Sequence, residues 1–457
     1  MKSNARWIAL LGISVLVLAA CGGSDGDGPA QAEPPDASAG VTASRFEELA
    51  GSAQACTPAI AALDQYFSRL VKENEPGLTV VVVRKGRVVH FGGYGYADVE
   101  NRRKFSPGTA VHIASTGKQF TSLAILALVQ TQRVDLDAPA SRYVPEVMGL
   151  DAGVTVRRLL NHTAGVGTYY PGEDENRGWN ALRGLVESEK TGVPNGAQAA
   201  RVLASLPLKF SPGTSWEYSN AGYELLGTII ERASGSSYQT FVEDAVFRPL
   251  GMAQSFLLPS ERQSRPNVAA SYVASNGIDQ RELKRVDRES LLELRYLDGL
   301  PGAGTAYVTP IDMVKYDAAW RAGFPGLQSS LVAQMLQPTG PAQEFAYGLG
   351  VFVGFPEITE PALQQQLARL GPKVMTHSGS WPAFYTQFAR FESKDVTVFG
   401  TLNRDLLRDD AGAIRNLTPD EQRQLSDEMF AASPTKMLAD VAETALAGKS
   451  AIACGRF

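Results

Sequence analysis

Ser115 and Lys118, in the stretch "HIASTGKQF" (112–120), stand three residues apart just ahead of the apolar run "TSLAILALV". Residues three apart share one face of a helix, with their side chains in contact range. A hydroxyl at a helix N-terminus lies where partial positive charge favours a developing anion. A lysine ordinarily keeps its proton to about pH 10.4, but desolvation or a nearby cation lowers that by several units. So placed, it could accept the serine proton and make the hydroxyl a nucleophile. The S-x-x-K spacing alone arises often in exposed helices, so the rest of the chain must supply the partners.

Two other stretches do. "SPGTSWEYSNAGYELLG" (211–227) carries Tyr218, Ser219 and Asn220 in a turn ahead of a helix, and "VMTHSGSW" (374–381) carries His377, Ser378 and Gly379 on a strand. In order and spacing, S-x-x-K, Y-x-N and H-x-G resemble the three motifs of the serine β-lactamase and penicillin-binding protein superfamily, specifically its class C β-lactamase and DD-carboxypeptidase branch. Segments such as "VTVRRLLNHTAGV" and "FARFESKDVTVFGTLN" extend the resemblance over roughly residues 57–404 and, through the last helix, to the C-terminus.

That resemblance implies an acyl-enzyme mechanism. Ser115 would be the nucleophile and Lys118 with Tyr218 the coupled proton-transfer pair, either of which could be the base. Asn220 would orient Lys118 and a substrate amide. His377, Ser378, Gly379 and Ser380 would line the substrate, and the backbone N–H groups of Ser115 and Ser380 would form the oxyanion hole. Gly379 would keep the strand edge open. The third motif has His where β-lactamases proper usually have Lys, a choice shared with DD-peptidases, D-amino-acid peptidases and esterases of this branch. Trp381 and Ala383 stand where glycines are commoner and would reshape the pocket. His90, His112 and His162 are given no catalytic role. With four dispersed histidines and no HExxH, neither a metal site nor a cofactor is expected.

The elements that must position these residues follow from pattern. "GLTVVVVRKGRVVHFGGYGYAD" (77–98) is a hairpin about a Lys-Gly turn, and "VMTHSG", "YTQFARFES" and "DVTVFGTLN" read as late strands. Between them, from about 115 to 340, helical stretches alternate with Gly/Pro turns. The fold class expected is α+β, of β-lactamase/transpeptidase type: an antiparallel sheet flanked by N- and C-terminal helices, with a large mainly helical region inserted between early and late strands. Segment 405–430 has no counterpart in the family and reads as an insertion.

The 457 residues are 44% hydrophobic, enough for a large core, and a net charge of −5 without basic runs argues against nucleic acid as a partner. Lys2 and Arg6 precede the run "WIALLGISVLVLAA", so residues 1–20 read as a signal peptide. "LAAC" resembles a bacterial lipobox, making Cys21 the lipidated residue and 21–44 a flexible tether to a domain spanning 45–457. The expected setting is the bacterial envelope, with Gly22 favouring the outer membrane facing the periplasm. A "GGSDG" match to the nucleophile elbow lies in the tether, without the strand and helix that motif needs. Cys56 and Cys454 remain, one at each end of an exported domain, and a disulfide joining two side-by-side terminal helices is expected.

Two functions stay open: a serine hydrolase, expected to be a monomer, acting on a small-molecule or peptidoglycan-derived ester, amide or D-aminoacyl bond, with β-lactam hydrolysis as a variant, and a non-catalytic envelope lipoprotein of the same fold.

Overall fold

The computed structural model describes residues 56–170, 174–258, 267–274, 283–286, 299–354, 361–371, 373–404, 434–448 and 451–454. The expected signal peptide, Cys21, tether and 405–430 insertion lie outside these residues.

Alternation of side chains along extended strands builds the molecule in two layers. The hairpin β2 (Leu78–Arg84) and β3 (Arg87–Tyr94) turns at Lys85 and Gly86, both with positive φ (47° and 71°). This is the mirror-image turn whose twist suits a two-residue hairpin. Along β2, Val80 and Val82 join one hydrophobic cluster while Val81 and Val83 join the other, as the period of two requires. The late strands β4 (Phe352–Val353), β5 (Val374–Trp381), β6 (Phe384–Phe391) and β7 (Val396–Leu402) complete a six-stranded antiparallel sheet of order β4-β5-β6-β7-β2-β3.

One face carries the terminal helices. Helix α1 (Ala61–Leu70) contributes Leu63 and Phe67, and α6 (Pro434–Ala447) contributes Ala439, Val441, Ala442 and Ala445 to a shared core with Val80, Val82 and Val398. The other face receives the helical region, whose centre is α2 (Lys118–Gln130). Residues all around α2 are buried, the mark of a helix enclosed by protein rather than lying on its surface. Helix α3 (Asn220–Ser234) packs beside it, and α4 (Pro310–Ala322) closes this layer against the sheet.

The structure departs from expectation in three places. No disulfide is seen among the described side chains, and the ends meet not through side-by-side helices but through a short antiparallel ladder of β1 (Cys56–Ala59) with β8 (Ala451–Cys454), in which Cys56 and Cys454 are directly opposed. Four backbone pairs thus join the ends, a pairing invisible to periodicity because each strand is too short to show one. The late strands are not all connected by short turns, since helix α5 (Pro361–Leu370) intervenes between β4 and β5 and packs on α6 through Gln366, which donates to Asp440 at 2.5 Å and to Glu443 at 3.0 Å. Ala383 does not line a pocket: it is buried, at φ 58°, as the third residue of the turn joining β5 to β6.

An L-residue in that left-handed region is strained by roughly 1–2 kcal/mol, part of which glycine's greater freedom in the unfolded chain would cancel. Ala383→Gly should therefore raise stability by about 0.5–1 kcal/mol, seen as a higher denaturant midpoint at unchanged m-value; a lower midpoint would show that the methyl contributes more by packing than it costs in strain.

Candidate active site

Three layers of chain converge on Ser115. It lies in a 3-10 turn, Ala114–Gly117, that runs directly into α2 with Lys118 as first residue. In a 3-10 turn residues i and i+3 eclipse, and Lys118 Nζ stands 3.1 Å from Ser115 Oγ. The strand ahead of the turn, Val111–His112, pairs with Ala306–Val308, and the Ile113 N–H donates to Ala306 O. Ala114, immediately before the serine, is held at φ 47°; its N–H donates to His112 Nδ1 at 3.1 Å. Trp381 stacks on the His112 ring, with centroids 5.3 Å apart. Trp381 thus buttresses the turn.

Lys118 is fully buried, and each of its three ammonium hydrogens has an acceptor: Ser115 Oγ, Asn220 Oδ1 at 2.7 Å and the Ala303 carbonyl at 2.6 Å. Burial lowers its pKa to about 7, against an opposing pull from the Glu224 carboxyl. Near neutral pH a large fraction is therefore free amine, able to hold its bonds to Asn220 and Ala303 while its lone pair faces the serine proton.

The Tyr-Ser-Asn turn is fixed from below. Ser219 caps α3, accepting the Gly222 N–H at 3.0 Å, and its own N–H donates to His162 Nδ1 at 3.1 Å. His162, at φ 63°, also packs its ring 4.3 Å from that of Tyr218. The Tyr218 hydroxyl is buried without a hydrogen bond of normal geometry among the described residues. Burial pushes its pKa far above the usual phenol value, with the nearby Ser115 hydroxyl offsetting only part.

On β5, the pleat separates the residues of the third motif. Met375, His377, Gly379 and Trp381 face the helical layer; Ser378 and Ser380 project from the opposite face. The Ser378 and Ser380 side chains thus lie on the face away from the helical layer, while their backbone stays on the strand beside the Ser115 turn. His377 is 2% exposed, its Nδ1 donates to the Ser378 carbonyl at 2.6 Å, and Nε2 accepts from Tyr347 Oη at 3.3 Å. Burial, with Lys118 adding to it, holds its pKa down at about 3, so the ring is neutral and structural. The role of Gly379 is also different from an open edge: a Cβ there would sit 2.1 Å from Ile113 O, so glycine lets β5 lie against the Ser115 turn. Among the described residues β4 pairs with β5 at Met375 and Thr376, near the start of that strand.

Sequence motifs thus bring Ser115, Lys118, Tyr218 and Asn220 together. They miss His112, His162, Tyr347 and Ala303. Tyr347 links His377 to the rings of Tyr218 and His162. Ala303 could not be found from residue type, because it acts through its backbone.

A serine-bearing turn held between a mainly helical layer and an antiparallel sheet is the architecture of the β-lactamase/transpeptidase-like serine hydrolases. The chain belongs to the Beta-lactamase family, whose model matches residues 63–418. Penicillin-binding protein 4* of Bacillus subtilis (strain 168) is 27% identical over 348 residues, 75% of this chain and 71% of that protein. Esterase EstB of Burkholderia gladioli is 33% identical over 227 residues, 48% of this chain and 57% of its own length. Among solved structures, a D-stereospecific amidohydrolase from Streptomyces sp. has the same fold with a TM-score of 0.57 and 22% identity, covering 82% of this chain and 99% of that one.

A lysine near pKa 7 in the fold and 10.5 outside it binds less proton folded than unfolded between those values, so stability should climb as pH rises from 7 to 10. Lys118→Met removes that penalty. It should stabilise the protein at pH 7.5 by about 2–4 kcal/mol and flatten the climb; melting across pH checks both.

Proposed function

We propose that the protein is a hydrolase that forms an acyl-enzyme on Ser115, with Lys118 as general base. The observation that carries the reading is the 3.1 Å approach of a desolvated lysine to the Ser115 hydroxyl. Lys118 rather than Tyr218 starts the reaction, since only Lys118 is partly deprotonated near neutral pH. It takes the serine proton as Oγ attacks the carbonyl carbon. Tyr218, over whose ring the ammonium lies at 4.9 Å, passes a proton to the leaving group and is replenished from Lys118. The N–H groups of Ser115 and Ser380 receive the oxyanion. Water then repeats the sequence on the acyl-enzyme.

Small esters and D-aminoacyl amides are the substrates this reading favours. The third motif offers a buried neutral histidine where a β-lactamase proper usually has a cation, and the relatives include an esterase and a D-stereospecific amidohydrolase. A fluorophosphonate should label wild-type protein and not Ser115→Ala. Hydrolysis of a p-nitrophenyl ester should fall about 10²–10⁴-fold in Lys118→Ala and in Tyr218→Phe, with the double variant little worse than either. A D-Ala-D-Ala peptide and a chromogenic cephalosporin assayed beside the ester rank the acyl donors. Equal labelling of Ser115→Ala would end the proposal and favour the non-catalytic envelope reading.

The same reading places the enzyme, as a monomer, on the periplasmic side of the outer membrane through a lipid on Cys21. Cells fed labelled palmitate should yield labelled protein, and Cys21→Ser should abolish the label and release the protein from membranes; unlabelled wild type would overturn the anchor.

A further inference from the structure

Glu224 lies four residues beyond Asn220 on α3, so both side chains share the helix face turned toward the site. It is 3% exposed. Its Oε1 accepts from Tyr170 Oη at 2.8 Å, while Oε2 is buried without a hydrogen bond among the described residues. A carboxyl group is seldom enclosed in this way without a partner.

The loop "PGAG" (301–304) separates it from the lysine. Added Cβ atoms at Gly227, Gly302 and Gly304 would fall 2.3 Å from Pro301 O, 2.1 Å from Tyr223 O and 2.6 Å from the Ala114 carbonyl carbon. The loop is therefore pressed between α3 and the Ser115 turn with no room for side chains. Ala303 is caught inside it. Its carbonyl accepts from Lys118 Nζ, and its N–H is directed to the Glu224 carboxyl. One residue thus has Lys118 on one side and Glu224 on the other.

We propose that Glu224 is a positioning residue of the catalytic lysine: acting across Ala303, its carboxylate sets the protonation of Lys118 and so the pH range in which Ser115 is activated. The inference rests on Lys118 being the base of the proposed hydrolase. The surroundings leave Glu224 alone in this role. Lys118 is faced by His162 and His377, both neutral because burial holds them well below their usual range, and by the rings of Tyr218 and Tyr223, whose hydroxyls burial keeps protonated. Glu224 is faced by Tyr169, Tyr170, Tyr238 and Lys118. Of these groups the Glu224 carboxyl is the one whose ionisation sets a negative charge near Lys118, since burial holds the neighbouring phenols protonated. Burial raises its own proton affinity well above the usual carboxyl range, and Tyr170, Lys118 and the Ala303 N–H offset only part of that. The two groups titrate as a pair.

The test is the pH dependence of kcat/KM on a p-nitrophenyl ester and of the fluorophosphonate labelling rate, for full-length wild type, Glu224→Gln, Tyr170→Phe and Lys118→Ala. Wild type should show an acid limb near pH 7. Glu224→Gln keeps an acceptor for Tyr170 but no charge, so its limb should move down by about one pH unit. Tyr170→Phe removes a bond to the ionised carboxylate and should move the limb the same way by less; it also serves if Glu224→Gln fails to fold. A merely structural glutamate would lower the plateau and leave the limb in place. A limb unchanged in both variants overturns the inference while the Lys118 reading stands. Lys118→Ala labelling as fast as wild type removes the Lys118 reading, and this inference with it.

Discussion

Everything at the site depends on keeping one lysine out of water with its hydrogen bonds made. An ammonium enclosed in protein is expensive, and an amine enclosed without acceptors only somewhat less so. The fold meets both demands by giving Nζ acceptors from three separate parts of the chain: the serine turn, the start of α3 and the Ala303 loop. None of these is near the others in sequence. The lysine is therefore assembled by tertiary structure, and its chemistry reports whether that structure is intact.

Close backbone approach is the means of assembly. Gly379 brings β5 onto the Ser115 turn, and Gly302 and Gly304 let their loop pass between that turn and α3. Contacts of this kind tolerate no added methyl group and have little freedom to drift. Catalytic geometry is sensitive to misplacement on the scale of an ångström, and backbone wedged against backbone holds it better than long side chains would. The strained Ala114, at φ 47° beside the serine, is kept in place by the same enclosure.

The sequence made the architecture and the Ser115–Lys118 contact readable for definite reasons. Lys118 and Ser115 are adjacent in chain and eclipsed in a 3-10 turn, so spacing alone carries their contact. The Lys85-Gly86 turn and the valine run before it announce the hairpin and its sheet. The surroundings of His377 and Ser378 were not readable, because a motif gives order along a strand but not which way the pleat turns each residue or what already occupies its polar atoms. Ala303 left no trace, as a carbonyl is present in every residue. The β1–β8 ladder was hidden because four-residue strands show too little alternation, and their pairing rests on partners 398 positions apart in register, Cys56 with Cys454.

The order of strands in the sheet has a consequence for how the chain reaches this state. The hairpin β2–β3 is local, yet its neighbour β7 begins at Val396, more than three hundred residues later. Contacts so distant in sequence close slowly, because loop entropy is lost before packing compensates it. While the chain emerges from its N-terminus, β2 presents an unpaired edge of valines with nothing to cover it. An edge of that composition is a template for wrong association. Until β7 is synthesised the nascent chain exposes an extended apolar edge that must be shielded from wrong association.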